Sequence, residues 1–323
     1  MSEAKKTELT VEEGDSCSLA GCSREGFTQA LGHWQGTAEV YSGEGRFLGN
    51  AVDQRHVRTA VDDKTVRIDL AFVGPVKFSG HYTIQDNGDH RIYQGPANYG
   101  FAEPLGPNLV DANAYWPSTG LTQRLFLLVL PDNQRQVSLS LMSRGEQLLY
   151  TIVGEYARAQ EGSASAGKLP GLIDGTTYDL GDDPTAGRGE LLLHRPGKWV
   201  GELRWLDASL TPQGTVRYEE AIRAEGSGLS VRTTGGAFAP EPSEFTLRTN
   251  GLQAWTPPGD TVGSYNLSGG RALAGTFHRH REGLRVWRRE VVLHGGAEKV
   301  VVHTWYRGGA RVGVQYGVLE HQA

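Results

Sequence analysis

A chain of 323 residues has room for about two domains, at roughly 100–200 residues each, with cores large enough to need no staples. Its 44 glycines are scattered rather than periodic, which excludes a collagen-like repeat. Many short apolar runs between them point instead to an all-β chain with tight turns. The formal net charge of −5, with no concentrated basic stripe, argues against a nucleic-acid partner.

The first residues, Met1-Ser2-Glu3-Ala4-Lys5-Lys6-Thr7-Glu8, lack the apolar core of a signal peptide. No run approaches the ~18–20 apolar residues of a membrane span. The expectation is a cytoplasmic protein whose residues 1–22 form a flexible leader. Cys17 and Cys22 are expected to be free thiols there, because no nearby His-Cys pair completes a zinc site. Ser23 to Leu31 then reads as a short helix. Ser23 caps it, Phe27, Ala30 and Leu31 form its apolar side, and Gly32 ends it. Such a helix is placed to plug a barrel end.

Strand patterns follow. Val66, Ile68, Leu70 and Phe72 alternate with polar or small residues on one face. Asn87-Gly88 marks a hairpin between Tyr82–Ile84 and Arg91–Tyr93. Pro131-Asp132-Asn133 turns between Leu125–Leu130 and Val137–Leu141. Gly295-Gly296 turns between Arg285–Leu293 and Val300–Tyr306. Residues 159–190 contain a small, polar linker, and Leu191-Leu192-Leu193-His194-Arg195-Pro196 is a short lead-in to what comes next.

The chain repeats itself. Gly32-His33-Trp34-Gln35-Gly36 matches Gly197-Lys198-Trp199-Val200-Gly201. At equal spacings after each Trp come Gly49 and Gly214, Val57-Arg58 and Ile222-Arg223, then Val66-Arg67 and Val231-Arg232, with no gap required. Arg144-Gly145 precedes Gly154 as Arg307-Gly308 precedes Gly317; Trp and Arg lie 110 residues apart in the first copy and 108 in the second. The middles of the copies do not align. The domain reading is a barrel over 23–158, a linker over 159–190 and a second barrel over 191–323.

A short helix, a Gly-x-Trp first strand and a meander ending in a late-strand Arg resemble the calycin superfamily of lipocalin-like barrels. The phrase Leu31-Gly32-His33-Trp34-Gln35-Gly36-Thr37 is similar to the opening of uncharacterised cyanobacterial lipocalin-like proteins. The resemblance implies two lipocalin-like antiparallel β-barrels in tandem, each with a Trp across its closed end and an Arg packed over it. Arg144 and Arg307 are the residues expected in that role. The chain departs from secreted lipocalins in having shorter units, no signal peptide and no lipocalin disulfide.

Aromatic residues concentrate around the expected barrel mouths. Tyr99, Tyr115 and Trp116 flank a long loop in copy one, and Trp255 and Tyr265 are their counterparts in copy two. His303 and Trp305 share a strand face in copy two, which makes His303 the candidate catalytic group. Ser140 and Met142 occupy the matching positions in copy one. The pair His278 and His280 reads as a solvated turn. Of Glu219 and Glu220, one is expected to face solvent. No motif requires a metal or cofactor. Two-barrel natural-product cyclases and isomerases also resemble this arrangement. The expected function is therefore enclosure of a small apolar, polyketide- or terpenoid-like molecule and its cofactor-free cyclisation or isomerisation. Non-catalytic carriage of a hydrophobic ligand and bilin lyase or chaperone activity are the alternatives.

Overall fold

Short strands whose side chains alternate in and out, joined by tight turns, bury their apolar face and hide their edges by rolling into a closed sheet. In the computed structural model the described residues are 29–60, 65–76, 79–86, 90–105, 108–159 and 192–322. They form two closed antiparallel barrels of ten strands each. The first contains β1 (Gly32–Ser42), β2 (Phe47–Thr59), β3 (Thr65–Val73), β4 (Gly80–Asp86), β5 (Arg91–Gln94), β6 (Tyr99–Pro104), β7 (Leu109–Trp116), β8 (Leu121–Val129), β9 (Arg135–Arg144) and β10 (Gln147–Arg158). The second contains β11 (Gly197–Asp207), β12 (Pro212–Glu225), β13 (Gly228–Gly235), β14 (Ser243–Thr249), β15 (Gln253–Trp255), β16 (Thr261–Ser268), β17 (Ala272–Arg279), β18 (Leu284–Val292), β19 (Glu298–Arg307) and β20 (Ala310–Gln322). Each strand pairs with the next, and the last pairs with the first. The expected all-β tandem barrel is therefore present, with ten strands per barrel where a lipocalin has eight.

Of the expected helix, Gln29 and Ala30 are helical, and 23–28 lie outside the described residues. The leader with its cysteines, the Asn87-Gly88 tip and most of the linker lie outside them too. A turn of 3-10 helix, Leu192–His194, leads into the second barrel with Leu193 and His194 buried.

The repeated Gly-x-Trp-x-Gly has a geometric cause. Gly32 and Gly197 sit at φ of 113° and 126°, where a side chain is strained. A Cβ on Gly36 would lie 2.0 Å from the Glu155 carbonyl oxygen, and one on Gly201 2.3 Å from that of Val318. Both second glycines let the first strand press against the last one and close the barrel. Between them, Trp34 and Trp199 are fully buried. The later glycines, Gly49 (φ 138°) and Gly214 (φ 122°), face a register shift after Val40 and after Trp205, so the same bulge recurs in both copies.

The late-strand arginine is not where the motif reading put it. Arg144 and Arg307 are exposed beside the β9–β10 and β19–β20 turns, whose Gly145 and Gly308 take φ of 59° and 55°. Their repetition reflects turn geometry. Arg158, opposite Trp34 on β10, lies 4.4 Å over the indole and donates to the carbonyls of Leu31 (2.6 Å), Gln29 and Asn133 (3.0 Å each). In the second barrel His321 faces Trp199 edge-on at 4.8 Å.

The ungapped alignment also needs one correction. Val57 pairs with Ile68, whereas Ile222 pairs with Val231, so Val231 corresponds to Ile68 rather than Val66. The second hairpin is shorter by two residues, an even number, so every side chain keeps its face and the sequence pattern stays in step. This accounts for the spacings of 110 and 108. Beyond that point the middles align strand by strand: Ile92–Phe101 corresponds to Trp255–Ser264, and Leu125–Ser140 to Arg288–His303.

The barrels pack through equivalent strands. Outward-facing Leu128, Leu130, Val137 and Leu139 share one buried cluster with Val291, Leu293, Val300 and Val302. Positions that correspond between the copies touch each other. Arg135 pairs with Glu298 at 2.6 Å, and the Arg289 guanidinium lies 5.6 Å over the Phe126 ring. Self-contact of equivalent positions is the mark of a twofold interface, here within one chain.

Candidate functional site

Because barrel walls alternate, inward residues are known from register, and the two interiors can be compared position by position. Barrel one encloses a cavity of about 120 Å³, barrel two one of about 40 Å³.

In barrel one the apolar wall includes Ile68, Leu70 and Phe72 of β3, Ile84, Val110, Leu125 and Leu127. A polar stripe crosses the opposite wall on β2, β10 and β9. Asp53 is fully buried and accepts from Arg55 Nε (3.0 and 3.1 Å) and Nη2 (2.5 Å). The same Nη2 donates to the Tyr156 hydroxyl at 2.8 Å, which shares a 2.9 Å hydrogen bond with Ser138 Oγ. Gln123 Nε2 donates to Ser140 Oγ at 2.8 Å. Burial pushes the Tyr156 and Tyr93 hydroxyls well up, and Tyr82 to about 12, so all three are neutral donors. Burial opposes the Arg55 charge, but Asp53 outweighs it and keeps the guanidinium charged. The stripe therefore carries one cation and one anion, bound to each other.

In barrel two the corresponding positions hold charge. Arg288 and Glu290 replace Leu125 and Leu127, Lys299 replaces Gln136, His303 replaces Ser140, and Glu220 replaces Arg55. These groups satisfy one another. Arg288 contacts Glu220 and, at 2.5 Å, Glu290. Lys299 lies 2.6 Å from Glu220 and 3.0 Å from Glu290. Burial alone would raise both carboxyls; Arg288 and Lys299 outweigh it and hold Glu220 low and Glu290 lower still.

His303 is buried, 1% exposed, and its tautomer follows from a backbone donor. The Ala237 N–H donates to Gln315 Oε1 (3.1 Å), so Gln315 Nε2 is the end that faces His303 Nδ1 (3.3 Å). His303 Nδ1 accepts, and its Nε2–H donates to Glu290 at 2.8 Å. Burial, opposed by Glu290, keeps the ring neutral. His303 and Trp305 both line the small cavity, yet both nitrogens of His303 are engaged within the wall.

The other expected site residues are scattered. Trp116 lines the barrel-one cavity at the end of β7. Tyr99 (55% exposed) and Tyr115 (38%) pair edge-on at 5.9 Å on the outside of β6 and β7, which are neighbouring strands rather than a long loop. Trp255 is 37% exposed on β15. Tyr265 is buried in barrel two, sharing a 2.7 Å hydrogen bond with His194. Glu219 bonds Lys198 at the surface while Glu220 points inward. His278 lies near the end of β17 and His280 begins the β17–β18 turn, and no group of three His, Cys, Asp or Glu among the described residues is arranged to hold a metal ion. Sequence reasoning missed the Asp53-Arg55-Tyr156-Ser138 stripe. Its signal was an Asp-x-Arg on an alternating strand, invisible until the register showed that both residues face inward.

No family model matches this chain, and no curated protein does. Among solved structures it is similar to a protein of unknown function from the DUF3598 family, from Nostoc punctiforme. The identity is 15%, the TM-score 0.57, and the match covers 93% of this chain and 99% of that one. An S-type phycobiliprotein lyase from Guillardia theta matches over 42% of this chain and 90% of its own, at 7% identity and a TM-score of 0.31. The first of these likenesses shows a shared two-barrel fold.

Proposed function

We propose that the protein binds a small, mostly apolar molecule inside the first barrel, and that the second barrel is a filled partner that braces it. The contrast between the two interiors supports this reading: equivalent positions line an apolar cavity of about 120 Å³ in one copy and a self-satisfied ion network in the other. An apolar cavity of about 150 Å³ takes up benzene, so a cavity of about 120 Å³ is on the scale of a single ring. Filling it is the direct test. Ala112, on the cavity wall, replaced by Phe occupies that space without adding a polar group. Titration of the full chain with toluene and ethylbenzene, followed through Trp116 fluorescence, should saturate for the unsubstituted protein and not for Ala112→Phe. No saturation with either protein removes the binding proposal.

Conversion of the bound molecule by cyclisation or isomerisation is the second reading. It is favoured by the Arg55-Tyr156-Ser138 chain, which offers donors to charge developing on a substrate oxygen in a low-dielectric cavity. In that reading the reacting atoms meet Tyr156 or Arg55 rather than His303. Loss of turnover in Tyr156→Phe with binding retained supports it; unchanged ligand recovered after prolonged incubation contradicts it.

A further inference from the structure

The ligand's polar group can be read from one side chain of the cavity wall. Gln136 lines the barrel-one cavity on β9, two residues before Ser138 and directly opposite Tyr156. Strand alternation turns its side chain inward with those of Ser138 and Ser140, while Val137 and Leu139 face the second barrel. It is 1% exposed, and neither its amide oxygen nor its amide nitrogen has a hydrogen-bond partner among the described residues. Leaving both ends of a buried amide unmet is costly, so such a group calls for a partner. The equivalent position in barrel two, Lys299, is met by two carboxylates.

The rest of the stripe limits what that partner is. Asp53 and Arg55 neutralise each other, so an ionic ligand would add an uncompensated charge to an apolar cavity. A primary amide presents one donor face and one acceptor face side by side, which an amide, a lactam or an undissociated carboxylic acid matches. We propose that Gln136 anchors the ligand, and that the ligand is a neutral molecule of about single-ring size whose polar group both donates and accepts a hydrogen bond. The proposal rests on the first barrel being a binding site. It adds the chemical class of the ligand.

Three probes of similar shape separate the cases: benzamide, ethylbenzene, and benzoate at pH 8. Calorimetric titration of the full chain should give benzamide an affinity about tenfold or more above that of ethylbenzene, one reciprocated polar contact. Benzoate should bind more weakly than benzamide. In Gln136→Leu the preference for benzamide should vanish while ethylbenzene still binds. In the unsubstituted protein, the side-chain amide resonance of Gln136 should shift with benzamide and stay put with ethylbenzene, a readout that holds even if the variant fails to fold. Ethylbenzene binding as well as benzamide, or an unmoved Gln136 resonance under saturating benzamide, overturns the anchor and leaves the binding site standing. Binding of none of the three overturns both.

Discussion

At the scale of single residues, burial decides which groups hold the barrels together. Arg158 covers Trp34 and donates to three backbone carbonyls, tying the lead-in to β1 and the β8–β9 turn to the end of β10. Arg158→Ala should cost about 1.5–3 kcal/mol, the range for hydrogen bonds from charged donors. Arg144→Ala, at an exposed turn, should stay within about 0.5 kcal/mol; urea unfolding of both variants checks the contrast. A second consequence concerns pH. His194 is pushed down to about 4 by burial, and burial lowers His303 as well, so both are neutral in the folded chain. Unfolded, each titrates near 6.5. Below pH 6.5 the unfolded chain therefore binds protons that the folded one refuses, and stability falls as pH drops toward 4. His194 contributes up to about 1.4 kcal/mol per pH unit across that window, and the lowered His303 acts in the same direction. The lowered Glu220 and Glu290 add a later loss, since their stabilisation is present above about 4.5 and disappears as pH falls through their depressed values. The urea midpoint should be clearly lower at pH 5 than at 7.5, and the difference should shrink in His194→Phe. A midpoint that does not move contradicts neutral buried histidines.

At the scale of elements, closure depends on the first strand lying hard against the last. A methyl on Gly36 would meet backbone, which cannot swing aside. Gly36→Ala should thus lose the native fold or several kcal/mol of stability, whereas alanine at Gly145, where nothing lies within 4 Å, should cost only its positive-φ strain of about 1 kcal/mol. Thermal melts of the two variants distinguish these outcomes. This is also where the sequence was most legible. Gly-x-Trp-x-Gly, the bulge glycines and the Arg-Gly turns impose local geometric demands, and a duplicated chain shows them twice. What sat inside the barrels was harder to read. Asp53 and Arg55 are far from Tyr156 and Ser138 in sequence, and Gln136 looks like any surface glutamine until register turns it inward. Tyr99, Tyr115 and Trp255 drew attention as aromatics near expected loops, but neighbours on a strand alternate faces, so Trp116 enters the cavity while Tyr115 beside it does not.

At the scale of the whole molecule, two copies of one frame have taken different interiors and remain joined by a pseudo-twofold face. The face is not interchangeable between copies. Barrel two supplies Arg271, Arg289 and Arg311, and barrel one answers with Glu39 and Glu155, Asp111, and Glu103. At Arg135–Glu298, where equivalent positions meet, two first barrels would oppose two arginines and two second barrels two glutamates. At the other pairs either combination would leave charges without their partners, which selects the mixed pair. The arrangement allows one barrel to keep a cavity, a feature that lowers stability, while its neighbour is packed with mutually satisfied charge. Xenon favours apolar cavities, so a crystal of the full chain held under xenon pressure tests this division directly. The account expects xenon inside the first barrel beside Leu70, Phe72 and Leu125, and none inside the second. Xenon among Glu220, Arg288 and His303, or a first barrel that stays empty, would contradict it.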